Sequence, residues 1–85
     1  MNPEILGLVA GSLSCITFVP QIFKTAKSKS VKDISVATFT IVAISTLIWL
    51  VYGFMKDSIS IILTNVIVFL SSIIMLFLKW KHDLK

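Results

Sequence analysis

The sequence contains no arginine, a single cysteine and a single histidine, and only four acidic residues against eight lysines. One cysteine, Cys15, excludes an intrachain disulfide and any two-cysteine metal or redox motif, and leaves it the role of a small apolar residue in a packed helix. The charges are also missing from three long stretches, Ile5 to Phe23, Ile34 to Met55 and Ser58 to Leu78, in which no carboxylate, lysine or histidine occurs. Pumps and ion-coupled carriers commonly place ionisable groups at depth, so this pattern speaks against proton- or sodium-driven transport. Without a nucleophile beside a base it gives no support to an enzyme, and no metal or cofactor is expected. Met1-Asn2-Pro3-Glu4 lacks the positive n-region of a cleaved signal peptide, so the N-terminus is expected to be retained.

Apolar length is what the sequence has. Of 85 residues 56% are hydrophobic and the mean hydropathy is +0.98, which places one small domain, residues 1–85, in a lipid bilayer. The three uncharged runs hold 19, 22 and 21 residues. A helix rises about 1.5 Å per residue, so roughly 20 residues cross a hydrocarbon core about 30 Å thick. The reading is all-α, a bundle of three transmembrane helices near 4–26, 34–55 and 58–80. Barrel strands would need alternating polarity over about half that length.

The net charge of +4 belongs to the connections and is assigned to lipid headgroups and cytoplasm, with no nucleic-acid partner. Lys24, Lys27, Lys29 and Lys32 surround the first connection and Lys79, Lys81 and Lys85 follow the third run, whereas the second turn holds only Lys56 and Asp57. Three spans put seven of the eight lysines on one side. By the positive-inside tendency that side is cytoplasmic, which leaves the N-terminus outside and the C-terminus inside a multi-pass protein of the inner (plasma) membrane. Asp33 or Ser35 is expected to cap the second helix, Trp80 to anchor the third at the interface beside Lys79 and Lys81, and His82 to be solvated.

Within the runs a few residues stand out. Pro20, followed by Gln21, removes one backbone bond and presses on the carbonyl of Ile16, so the first helix is expected to bend there. Gly7 and Gly11 form a G-x-x-x-G face extended by Ser14, suited to close packing within the chain or to dimerisation. Trp49 and Asn65 sit about two turns inside the membrane from the Lys56-Asp57 turn, at similar depth. Structurally, the indole fills core volume and the amide joins helices; functionally, a flat stacking surface and a donor-acceptor pair suit a sugar ring, and the residues alone leave both readings open. Three helices are too few to enclose a path, which points to a homodimer with its cavity between subunits.

Four segments in order, Phe18-Val19-Pro20-Gln21, Lys32-Asp33-Ile34-Ser35, Trp49-Leu50-Val51-Tyr52-Gly53 and Ile61-Ile62-Leu63-Thr64-Asn65, resemble the SemiSWEETs, bacterial half-transporters of the SWEET sugar family within the PQ-loop group. The resemblance covers almost the entire chain. It implies a parallel homodimer of three-helix bundles, the third helix lying between the first two, with a central sugar cavity that opens to each side in turn. Trp49 and Asn65 match the family's pocket residues, Pro20 the hinge proline and Gln21 its partner. Tyr52 matches an extracellular-gate tyrosine, Lys56 stands where relatives often have arginine, and Asp57 precedes by one residue the usual aspartate, whose position Ser58 takes. Phe39 matches a cytoplasmic-gate aromatic, beside Thr38 where a larger residue is common.

The function expected is passive uniport of small mono- or disaccharides by alternating access, with Pro20 serving as a hinge for the inner gate and not as a sugar ligand. A PQ-loop carrier of an amino acid or other metabolite, and a non-transporting membrane assembly subunit, are the alternatives.

Overall fold

The computed structural model describes residues 2–83 as three helices, α1 (Pro3–Ser28), α2 (Val36–Met55) and α3 (Ile59–Asp83), with no strand among the described residues. Each starts on a side-chain cap. Asn2 accepts from the Glu4 N–H at 2.8 Å with Pro3 in the first turn, where its missing N–H costs nothing. Ser35, and not Asp33, caps α2 by accepting from the Thr38 N–H at 3.1 Å. Ser58 caps α3, its hydroxyl oxygen accepting from the Ile61 N–H at 3.3 Å.

Two residues turn left-handed to end helices, Lys29 (φ 59°) after α1 and Asp57 (φ 50°) after α2. At the second, the Asp57 N–H reaches the Phe54 carbonyl at 3.3 Å and the Ser58 N–H reaches the Gly53 carbonyl at 2.9 Å. This pair of bonds is a Schellman ending, and the left-handed position in it is one usually held by glycine. Helix α1 passes through Pro20 without interruption, and its limits lie one residue before and two after the 4–26 expected from charge alone.

Helix α3 contacts both α1 and α2, whereas α1 and α2 do not contact each other among the described residues. The spatial order is therefore α1, α3, α2, in one layer measuring 48 × 21 × 13 Å. The buried residues follow from that order: α3 contributes Ser60, Val68, Ser71, Ser72, Met75 and Leu78, and α1 Gly11 alone among its described residues. All three helices are long and apolar enough to cross a membrane. Their hydroxyls suit that setting, since Ser12, Thr17, Ser71 and Ser72 each donate to the carbonyl four residues back.

The α1–α3 seam is set by Gly7 and Gly11. A Cβ at Gly7 would lie 2.5 Å from Ser60 Oγ, and one at Gly11 would lie 2.1 Å from Thr64 Oγ1. The glycines face a Ser-x-x-x-Thr spacing on α3, so the small-residue face is used inside the chain. On the other seam a Cβ at Gly53 would meet Ile61 Cγ2 at 2.8 Å.

At the lysine-rich end the α1–α2 connection folds over α3. Val31 is buried with Met75 and Leu78, and Ile22, Ile34 and Phe39 pack around them. Lys79 does not simply reach outward from the helix end: its Nζ donates to the Val31 carbonyl at 3.0 Å and lies 3.5 Å from Asp83 Oδ1. Trp80 is exposed.

Candidate functional site

The side chains of Trp49 and Asn65 line a single cleft of about 290 Å³, near the lower end of the ~300–1,000 Å³ usual for small-molecule pockets. Its floor is α3, through Ser60, Ile61, Thr64 and Asn65; Gly7, Ala10, Gly11 and Ser14 of α1 form one wall, and Trp49 of α2 the other. The flanking helices do not touch, so the single layer leaves the cleft open on one face, and small residues on α1 keep it from being filled.

Trp49 is 52% exposed and is steadied by Tyr52, one turn on, whose ring meets it edge-to-face at 5.6 Å and 89°. Such aromatic pairs contribute about 0.5–1.5 kcal/mol beyond area burial and orient both rings. Asn65 donates one amide hydrogen to the Ile61 carbonyl of its own helix at 2.8 Å. Its second N–H and its Oδ1 have no bond to another helix among the described residues. Asn65 therefore does not join the helices within the chain, and it lines the cleft with that capacity unused among the described residues.

The other residues singled out from the sequence are spread along the bundle. Lys56 ends α2 and Asp57 forms the left-handed turn; both are exposed, and among the described residues the ion pair within 4 Å is Lys79–Asp83 instead. Tyr52 backs the α2 wall through its contact with Trp49. Phe39 is half-buried against Val31, Met75 and Leu78 at the far end. Pro20 and Gln21 are exposed and lie outside the cleft, six and seven residues beyond Ser14 on α1, a distance of about 9–10 Å along the helix.

One cluster escaped the sequence reading. The Glu4 carboxylate reaches from α1 to the start of α3, where Oε2 accepts from the Ser58 hydroxyl at 2.9 Å and from the Ser60 hydroxyl in a shorter bond. A carboxylate at a helix N-terminus also complements the helix dipole. More than fifty residues separate the partners in sequence, so no local pattern announces it. The matched four-residue spacings of Gly7-Gly11 and Ser60-Thr64 were the available signal, because registering one against the other brings Glu4 to Ser60.

A family profile described as "PQ loop repeat" matches residues 3–62. The sugar transporter SemiSWEET of Leptospira biflexa is 31% identical over 76 residues, 89% of each chain, and that of Bradyrhizobium diazoefficiens is 25% identical over 93% of this chain and 92% of its own. An uncharacterised protein of Methanocaldococcus jannaschii is 27% identical over 95% of this chain and 87% of its own. Among solved structures, a bacterial homologue of SWEET transporters superposes with a TM-score of 0.86 at 32% identity, covering 93% of this chain and 95% of the other. The named relatives are transporters, not enzymes. With three apolar helices in the order α1, α3, α2 and family likeness along nearly its whole length, the chain is a membrane protein that belongs to the SemiSWEET family of the PQ-loop repeat group.

Proposed function

We propose that the protein is a passive uniporter for small mono- or disaccharides, working by alternating access through a cavity between two copies of the chain. One observation carries the proposal: an indole face and an amide with spare bonding capacity line the same cleft, and none of its lining residues is ionisable. A sugar offers apolar C–H faces to the ring and hydroxyls to the amide. An ion-coupled or amino acid carrier would need a charged group that the lining lacks.

Two parallel copies with their open faces together would close the clefts into one chamber bearing two tryptophans and two asparagines. The relatives' printed names, sugar transporter SemiSWEET, support the same cargo. In this reading the N-terminus and the α2–α3 turn lie outside the inner membrane and the lysine-rich end lies in the cytoplasm. Tyr52, Lys56 and Asp57 then belong to the outer gate, Phe39 to the inner gate, and Pro20 with Gln21 to the hinge that moves it.

The test is counterflow of radiolabelled sugars into proteoliposomes. The protein should exchange at least one small sugar above empty vesicles, and Trp49→Ala or Asn65→Ala should lower exchange by tenfold or more. Exchange of amino acids in place of sugars would move the cargo to the alternative class. No exchange of any solute, with a stable hetero-complex in mild detergent, would replace transport by an assembly role.

A further inference from the structure

Ser60 lines the cleft while its hydroxyl is held by Glu4, and this fixes how it can bond to a ligand. An ionised carboxylate only accepts hydrogen bonds, and a serine hydroxyl has one proton to give. Both Ser58 and Ser60 direct that proton to Glu4 Oε2, their two oxygens lying 3.3 Å apart. Ser60 Oγ is left with lone pairs alone. Gly7 lies close against this oxygen, and a Cβ there would stand 2.5 Å from it and close off its side of the cleft. Ser60 stands one helical turn from Thr64 and is only 5% exposed, so little water can satisfy it once a ligand fills the cleft. Ser14 across the wall is committed in the same sense, donating to the Ala10 carbonyl at 3.3 Å.

We propose that Ser60 is a third substrate contact, an acceptor whose polarity is fixed by Glu4, so that the cleft selects a sugar with a hydroxyl donor aimed at this wall. Glu4 does not line the cleft; it is a positioning residue that acts through Ser60. The inference rests on the sugar-carrier reading above.

Monofluorinated sugars test it, because fluorine in place of a hydroxyl keeps the size but cannot donate. In the unaltered protein one ring position should show a half-saturation concentration about tenfold higher for the fluorinated sugar than for its parent. In Ser60→Ala that ratio should collapse toward one, since the acceptor is removed, and in Glu4→Ala it should fall part of the way, since the serine can then donate to the ligand as well as accept from it. Glu4→Gln should restore the ratio, because its single carbonyl oxygen can accept from both serines as Oε2 does. Helical circular dichroism and elution volume establish that each variant is folded, and Ser60→Ala decides alone should Glu4→Ala fail to fold. Weaker binding of all sugars with an unchanged ratio would reduce Glu4 and Ser60 to structural roles and overturn the inference while leaving sugar transport intact. Absence of sugar exchange by the unaltered protein would overturn both.

Discussion

Replacing Gly11 with alanine probes the tightest of the three glycine contacts. The new methyl would lie 2.1 Å from Thr64 Oγ1, 3.2 Å from Thr64 Cβ and 3.4 Å from Thr64 Cγ2. Rotation of the threonine moves Oγ1 and Cγ2 but leaves the 3.2 Å contact, because Cβ is fixed to the α3 backbone. Overpacking of this kind costs about 1–3 kcal/mol. Alanine recovers about 1 kcal/mol through its better helix propensity. The net expectation is a loss of about 1 kcal/mol, measured by reversible unfolding in mixed micelles with helical circular dichroism as the signal. Thr64→Ala removes the hydroxyl and methyl contacts, so Gly11→Ala should be neutral or stabilising in that background. The cycle should return a coupling of about 1–2 kcal/mol, above the ~0.5 kcal/mol scatter of independent sites. Gly11→Ala raising stability by itself, or effects that simply add, would refute the close α1–α3 seam. A glycine face used for dimerisation predicts the latter, with no rescue by Thr64→Ala.

Asp57→Gly should stabilise the fold by about 0.5–1 kcal/mol in the same titration, because it relieves a left-handed backbone (φ 50°) in the Schellman ending. A gain in stability with unchanged sugar exchange marks a turn residue, whereas altered exchange supports its place in an outer gate. Lys79→Met should cost about 1.5–3 kcal/mol by removing a charge-assisted bond to the Val31 carbonyl, the exposed Asp83 adding little. Its check is hydrogen exchange, in which amides of residues 29–34 should lose protection; unchanged protection would remove Lys79 as the tie. Pro20→Ala should slow sugar exchange more than it weakens sugar binding, and the opposite pattern would place the proline in the pocket.

Whatever depends on polarity along one helix was readable from residues 1–85. The uncharged runs located the three spans, and seven clustered lysines implied which ends lie together. Element ends were less legible, because Asn2-Pro3 and the left-handed Lys29 extend α1 past the limits charge suggests. Trp49 and Asn65 could be named from their depth, but that they line one cleft depends on how α2 and α3 turn about their axes. The Glu4–Ser60 bond depends in turn on the register of α1 against α3. Lys79 looked like an interfacial lysine because nothing local points it at a carbonyl forty-eight residues away.

The central position of α3 has a consequence for the connection that must step over it. Two interaxial spacings of about 8–10 Å separate α1 from α2. Residues 29–35 have to cover that span, and seven residues reach at most about 23–25 Å even when fully extended. They are not extended: the chain reverses at Lys29, and the Ile34 N–H bonds to the Val31 carbonyl at 3.1 Å. The strap therefore has little slack, and its length caps how far the Ser28 end of α1 could move from α2 before Val31 must leave its seat. Any opening at the lysine-rich end would be limited by this tether.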